Sequence, residues 1–393
     1  MANRIKVIAL FLHHSLWGKR IRGDERRFLE IVKRASTLGF DFCVIEYAPS
    51  LQKHYYGRRI YRSIELRNRG LLYTLLHVIL LALRLRKKYD IIYAYNQDFL
   101  NVLSSLIFKL VQRKPLVIVV QSLQDIEFPL KKLKELYGAS VLGLFFIQVH
   151  RLLLRVAFML ADVLITTTNS LKNSLTARFP RIKRKVFVTG NGVNLDIFKP
   201  SNMEKKYDAI FLGRLHIMHK GLDKLLLAWR IIVNRFPKAK LVLVGGYESE
   251  RDQRLLSDLL NKFLLKENVI ITGFVKDEDV VTLLNSSKVF ISLSIYEGFG
   301  LSILEAMACG IPCIISNLQV FKELHGNVPF YVNAQNYKSV ALTLCKLLMS
   351  HNFNSLGTLL RKHAEKFPWE AVVGKEMALI KIIASLHHRA KKR

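Results

Sequence analysis

Between Val289 and Pro312 the chain reads as strand, glycine turn and helix in quick succession, an order at home in layered α/β folds. Val289 to Leu293 is a short apolar run with the β-branched and aromatic character of a buried strand. Glu297, Gly298, Phe299 and Gly300 form a turn, and Leu301 to Ala308 is apolar and helix-favouring around a single acid. Gly310 reads as a residue just past a helix end, and Pro312 cannot continue the helix. In this geometry exposed backbone N–H groups and the helix dipole receive a phosphate.

Two glutamates frame the turn. Glu297 lies within it and Glu305 follows two turns into the helix. A lone acid in such a place is usually solvated or paired with a basic residue. Glu305, however, stands among Leu301, Ile303, Leu304, Ala306 and Met307, where an unpaired carboxylate is costly. Carboxylates accept hydroxyl hydrogens well, so both suit a sugar or ribose.

From Tyr207 onward strands and helices alternate with short connections, which implies a parallel sheet covered on both faces. The first strand of this part ends at Gly213, and Arg214 and Lys220 follow in a loop and at a helix start. Ligands of open α/β sheets gather at the carboxyl ends of strands. An arginine fork and a lysine point charge there would neutralise a diphosphate. Phe274 and Val275 close another strand and could offer an aromatic edge and backbone atoms to a nucleotide base. Asp277, Glu278 and Asp279 mimic a metal motif, but they open a helix, where acids stabilise the N-terminus, so no metal is expected.

At 393 residues the chain is long for one core and natural for two domains. Its charge is lopsided: residues 1–200 hold 34 basic and 13 acidic side chains, a net +21 of the total +31. Such a surface favours anionic partners, nucleic acid or lipid headgroups. No nucleic-acid motif or basic-aromatic repeat accompanies it, which disfavours nucleic acid. No segment reads as a leader or a membrane span. The apolar run Leu71 to Leu83 is flanked by Arg84, Arg86, Lys87 and Lys88 and reads as a buried helix or an interfacial one. Leu130 to Leu160, with Lys131, Lys132, Lys134, Arg151 and Arg155, is the next candidate for a membrane-facing surface. Cys43, Cys309, Cys313 and Cys345 lack zinc-type pairing and read as reduced thiols of a cytoplasmic protein, which its basic surface would place at the inner leaflet of the membrane.

In the first half, Ile5 to Leu12, Phe40 to Glu46, Asp90 to Tyr95, Pro115 to Val120 and Ala161 to Thr166 read as strands. Asp24 and Asn169 read as helix caps, and His14 lies just beyond the first strand, where sites form. The tail from His387 reads as frayed.

The spacing of Glu297 and Glu305 resembles the E-x7-E signature of retaining glycosyltransferase family 4, also called glycosyl transferases group 1. Gly190 to Pro200, Phe211 to Leu215 with Lys220 and Gly221, Leu241 to Gly246, Thr272 to Val275 and Phe367 to Glu370 match in order. The resemblance implies the GT-B fold, two Rossmann-like doubly wound α/β domains facing a cleft. Residues 1–195 would take the acceptor and 196–366 the donor, with 367–393 as a helix crossing back to the first domain and a basic tail. It implies transfer with retention from a nucleotide sugar (a UDP- or GDP-sugar co-substrate), without cofactor or metal, to a glycan or polyprenyl-phosphate-linked acceptor. Arg214, Lys220 and Glu297 would be catalytic. Gly213, Phe274, Val275, Gly298, Phe299, Gly300, Leu301 and Glu305 would join them in donor binding. On the acceptor side, Gly23 stands where the family has a loop glycine, and Gln121 where it often has a histidine. The alternatives are a basic binding protein on the same scaffold, or a sugar-nucleotide epimerase or phosphorylase. Salt-dependent RNA and liposome binding would reveal the first, and product stereochemistry with acceptor dependence the second.

Overall fold

The computed structural model describes residues 4–12, 23–46, 61–66, 70–137, 140–350 and 353–392. The chain divides into two compact units, Met1–Asn191 with Trp369–Arg393, and Gly192–Pro368.

Among the described residues the first unit holds a seven-stranded parallel sheet of β1 (Ile5–Phe11), β2 (Phe40–Glu46), β3 (Arg62–Glu65), β4 (Ile91–Tyr95), β5 (Leu116–Val120), β6 (Val163–Thr166) and β7 (Val186–Val188). The strand order is β3-β2-β1-β4-β5-β6-β7. Every residue of β4 and β5 is buried, which is why these strands read as unbroken apolar runs rather than alternating ones. Helices Leu71–Arg84, Phe99–Gln112 and Val141–Leu160 turn their inner residues, among them Val78, Phe108 and Phe158, onto one sheet face.

The second unit holds, among its described residues, a six-stranded parallel sheet of β8 (Tyr207–Leu212), β9 (Leu241–Val244), β10 (Val269–Gly273), β11 (Ser287–Ser292), β12 (Cys313–Ser316) and β13 (Phe330–Val332). Its order is β10-β9-β8-β11-β12-β13, so the direction of winding reverses between β8 and β11. At such a switch point the loops leaving two neighbouring strands part to opposite faces and open a crevice at their carboxyl ends. Both sheets are doubly wound, and the fold class is α/β.

Several sequence expectations need correction. Thr168, not Asn169, caps its helix: its hydroxyl accepts from the Leu171 amide at 3.2 Å. The tail from His387 is not frayed but continues the last helix, Trp369–Lys392. That helix buries Trp369, Val373, Met377, Ile380 and Ala384, a stripe at helical spacing that fixes it to the first unit. The short strands β3 and β13, and the helix Phe353–Ala364, were not expected.

The last helix is also tied in by charge. Arg27, on the helix Gly23–Ala35, and Glu376 are both fully buried and paired at 2.6 Å. Arg27 donates further to Asn191 Oδ1 at 2.6 Å and Thr189 Oγ1 at 3.1 Å. The Tyr93 hydroxyl donates to the other oxygen of Glu376. Burial opposes the charge on Arg27, but Glu376 and the neighbouring Tyr95 and Tyr93 outweigh it, so its pKa is raised. A buried charge is tolerable only when it is paired, and here the Glu376 carboxylate supplies the counter-charge, although among the described residues Arg27 Nη1 has no hydrogen-bond partner of its own.

Candidate active site

The site is built from the two loops at the switch point of the second sheet. The first leaves β8 as Gly213 and Arg214 and runs to Gly221, which caps the helix Leu222–Arg235. The second leaves β11 as Leu293 and Ser294 and runs to Gly300, which caps the helix Leu301–Ala308.

The loops are stitched together. The Ile295 amide donates to the His219 carbonyl at 3.0 Å. Gly221 sits at φ +63°, and a Cβ there would lie 2.2 Å from the Leu293 carbonyl oxygen, so only glycine permits this approach. Gly221→Ala should therefore lower stability by about 2 kcal/mol or more, read as a reduced urea midpoint of unfolding.

Across this seam Lys220 Nζ meets Glu297 Oε1 at 2.5 Å, with both side chains more than four-fifths buried. Ser294 Oγ donates to the same carboxylate oxygen at 2.8 Å. Both bonds land on Oε1, so among the described residues Oε2 keeps its accepting capacity, and Lys220 keeps two of its three hydrogens. Arg214, 36% exposed, pairs with Glu248 at 2.8 Å in the loop after β9. His219 is buried beside them. Burial, and then the charges of Lys220 and Arg214, push its pKa well below the usual histidine value, so the ring is neutral at pH 7.

Asp252 steadies the first loop by accepting from the Ile217 amide at 2.8 Å, with His216 at 3.4 Å. Burial would raise the Asp252 pKa, but the bonds from His216, Ser249 and Ile217 prevail and lower it.

The structure brings Arg214, Lys220, Glu297 and the Gly300–Leu301 helix start to these two adjoining loops. Gly300 has φ +87°, and a Cβ would press within 2.8 Å of the Phe321 ring, so glycine is needed to begin the helix there. Gly298 is partly buried, and Leu301 opens the helix. Phe299 is buried and stacks edge-on against Phe367, which leaves only its backbone for a ligand. Phe274 is 42% exposed and its ring covers Gly246, where any side chain would collide with it. Val275 instead packs its side chain into a core cluster. Glu305 is buried one turn into the helix, not two as expected, because the helix begins only at Leu301, and it lies close enough to Cys309 to help burial push that thiol up to about 12.

In the first unit Gly23 begins a helix, and Gln121 follows β5 with its backbone N–H donating to Gln97 Oε1 at 3.0 Å. His14 lies outside the described residues. Asp277 to Asp279 occupy the first turn of the helix Asp277–Asn285. His219, Glu248 and Ser294 were missed by the sequence reading. Only His219 carried a signal there, as the neighbour of Lys220.

Two doubly wound parallel sheets in one chain, the second with cations, an acid and a helix start at its switch point, define the GT-B class. Residues 21–197 match the family model Glycosyltransferase Family 4, and residues 193–354 match Glycosyl transferases group 1. The chain belongs to this glycosyltransferase family, group 1 and family 4. It is 28% identical over 243 residues to an uncharacterised glycosyltransferase of Methanocaldococcus jannaschii, covering 57% of this chain and 61% of that protein. It is 26% identical to the O-antigen chain mannosyltransferase B of Escherichia coli over 41% of this chain and 42% of that one. The chain thus spans about two-fifths to three-fifths of these relatives. Anabaena HepE in complex with UDP-glucose superposes with a TM-score of 0.76 at 18% identity, covering 96% of this chain and all of HepE.

Proposed function

We propose that the protein transfers a sugar from a nucleotide-sugar donor to a glycan or lipid-linked acceptor, with retention at the anomeric carbon. The observation that carries this reading is the Lys220–Glu297 pair at the switch point, beside Arg214 and a helix N-terminus. The UDP-glucose bound to HepE supports a donor of the same class, and the O-antigen enzyme supports a surface glycan as acceptor.

As the bond to the leaving group breaks, negative charge grows on the diphosphate and positive charge on the anomeric carbon. Arg214, the remaining hydrogens of Lys220 and the backbone amides near Phe299, Gly300 and Leu301 stabilise the diphosphate. Counter-charge comes from side chains in this reading, without a metal. Glu297 uses its open oxygen to hold a donor-sugar hydroxyl, and Glu305 accepts from the ribose. The pairing with Glu297 keeps Lys220 extended in place before the donor arrives, which is the preorganisation electrostatic catalysis needs.

A thermal-shift panel of UDP, GDP, UDP-glucose and other nucleotide sugars tests the donor site. A ligand at 100 times its dissociation constant adds roughly 2.7 kcal/mol, a rise of several degrees in Tm. If no nucleoside diphosphate or nucleotide sugar shifts the transition, the reading fails.

A further inference from the structure

The first unit carries an apolar surface that the transfer reaction does not use. Helices Leu71–Arg84 and Val141–Leu160 flank Phe99–Gln112 on one side of the sheet. Their inner residues, such as Val78, Leu154 and Phe158, are buried in a common core. Their outer faces are apolar as well. Leu72, Leu76 and Leu80 are 74%, 54% and 61% exposed on the first helix. Leu142, Phe145 and Leu152 are 65%, 63% and 60% exposed on the other, and Leu110 is 68% exposed on the helix between. Soluble monomers rarely leave so much contiguous apolar surface without a partner.

The charge around this face indicates which partner. No acid occurs from Leu71 to Tyr89 or from Leu136 to Ala161. Arg86, Lys87, Lys88 and Arg113 stand exposed where two of the helices end. Lys109, Lys114, His387 and Lys391 crowd the same edge. Burial, and then Lys391, lower the Lys114 pKa, and burial with Lys391, Lys114, His388 and Lys109 lowers that of His387. The acids facing this edge are Asp90 and Asp162, which approach His388 and Lys109. A second copy of the chain would bring the same excess of positive charge against this edge, whereas lipid phosphates would neutralise it.

We propose that the outer faces of Leu71–Arg84 and Val141–Leu160 dock the protein on an anionic lipid bilayer. Apolar side chains enter the headgroup boundary, and the rim of lysines and arginines meets lipid phosphates. Contrary to the sequence expectation, one stretch among the described residues, Leu142–Leu160 within the helix Val141–Leu160, is long and apolar enough, by length and composition, to cross a membrane. Its inner face is locked into the sheet's core through Leu154, Ala157 and Phe158, so the helix lies on the bilayer rather than in it. The inference stands independently of the donor and acceptor proposed above.

Cosedimentation of the full-length protein with vesicles tests it, using phosphatidylcholine alone and phosphatidylcholine mixed with phosphatidylglycerol. Wild type should sediment with the anionic vesicles and dissociate as salt is raised. Leu76→Glu/Leu80→Glu and Leu142→Glu/Phe145→Glu should each weaken partitioning roughly tenfold or more. Arg86→Gln/Lys88→Gln should weaken it by about fivefold per charge removed and flatten its salt dependence. All six positions are on the surface, so unchanged thermal unfolding should confirm that the variants are folded. Failure of wild type to bind anionic vesicles overturns the proposal, as does undiminished binding by the two glutamate variants. A dimer that binds no lipid and is dispersed by Leu76→Glu/Leu80→Glu would give the face to a second copy and overturn it equally.

Discussion

Lys220→Ala should lower turnover roughly 100- to 1,000-fold, the range found when one preorganised donor to a developing anion is removed. The lysine stands at the switch point with one hydrogen on Glu297 and two to spare, so its loss takes away counter-charge where the leaving group forms. Glu297→Gln should cost turnover on the same scale through the donor sugar, since the amide cannot hold Lys220 as a charge partner. Ser294 still bonds the residue at 297 in the lysine variant, and the site is loop-borne, so both proteins should remain folded. The check is steady-state turnover with the nucleotide sugar that gives the largest thermal shift, alongside circular dichroism. Near wild-type rates in both variants would remove the mechanism and leave a binding protein on a GT-B scaffold.

The largest stability effect should come from the first unit. Glu376→Gln leaves the fully buried Arg27 without its counter-charge, and Arg27→Met leaves Glu376 in the same position. Each should destabilise by about 3–5 kcal/mol, because removing one partner strands a charge in low dielectric. For a unit of this size that is roughly 10 °C in Tm. Arg27→Met/Glu376→Leu should recover much of the loss, since replacing a whole buried pair by apolar groups is far less costly than halving it. Scanning calorimetry of the four proteins measures the cycle. A drop of under 1 kcal/mol in both single variants would mean that water reaches the pair.

Much of the second unit could be read directly from its residues. The run from Val289 to Pro312 announces strand, turn and helix, and Gly310 does take the left-handed conformation just past the Leu301–Ala308 helix. Lys220 and Glu297 were each legible as site residues because each follows a strand that is itself legible. Their contact was not, since they lie 77 residues apart and only the strand order makes them neighbours. Glu248 and Ser294 stayed hidden because loop residues have no period to betray them. The edge strands β3 and β13 are too short for alternation to show. Arg27 and Glu376 each sit in helices rich in charge, where the ordinary reading is a solvated face.

The last helix belongs to the first unit although the whole second unit precedes it in the chain, and Glu376 is separated from Arg27 by 349 residues. A ribosome therefore delivers every residue of Gly192–Pro368 before it makes the segment that neutralises the interior of the earlier-made part. Until then the amino-terminal half lacks the carboxylate that lets Arg27 be buried. In this chain the part begun first is the part completed last.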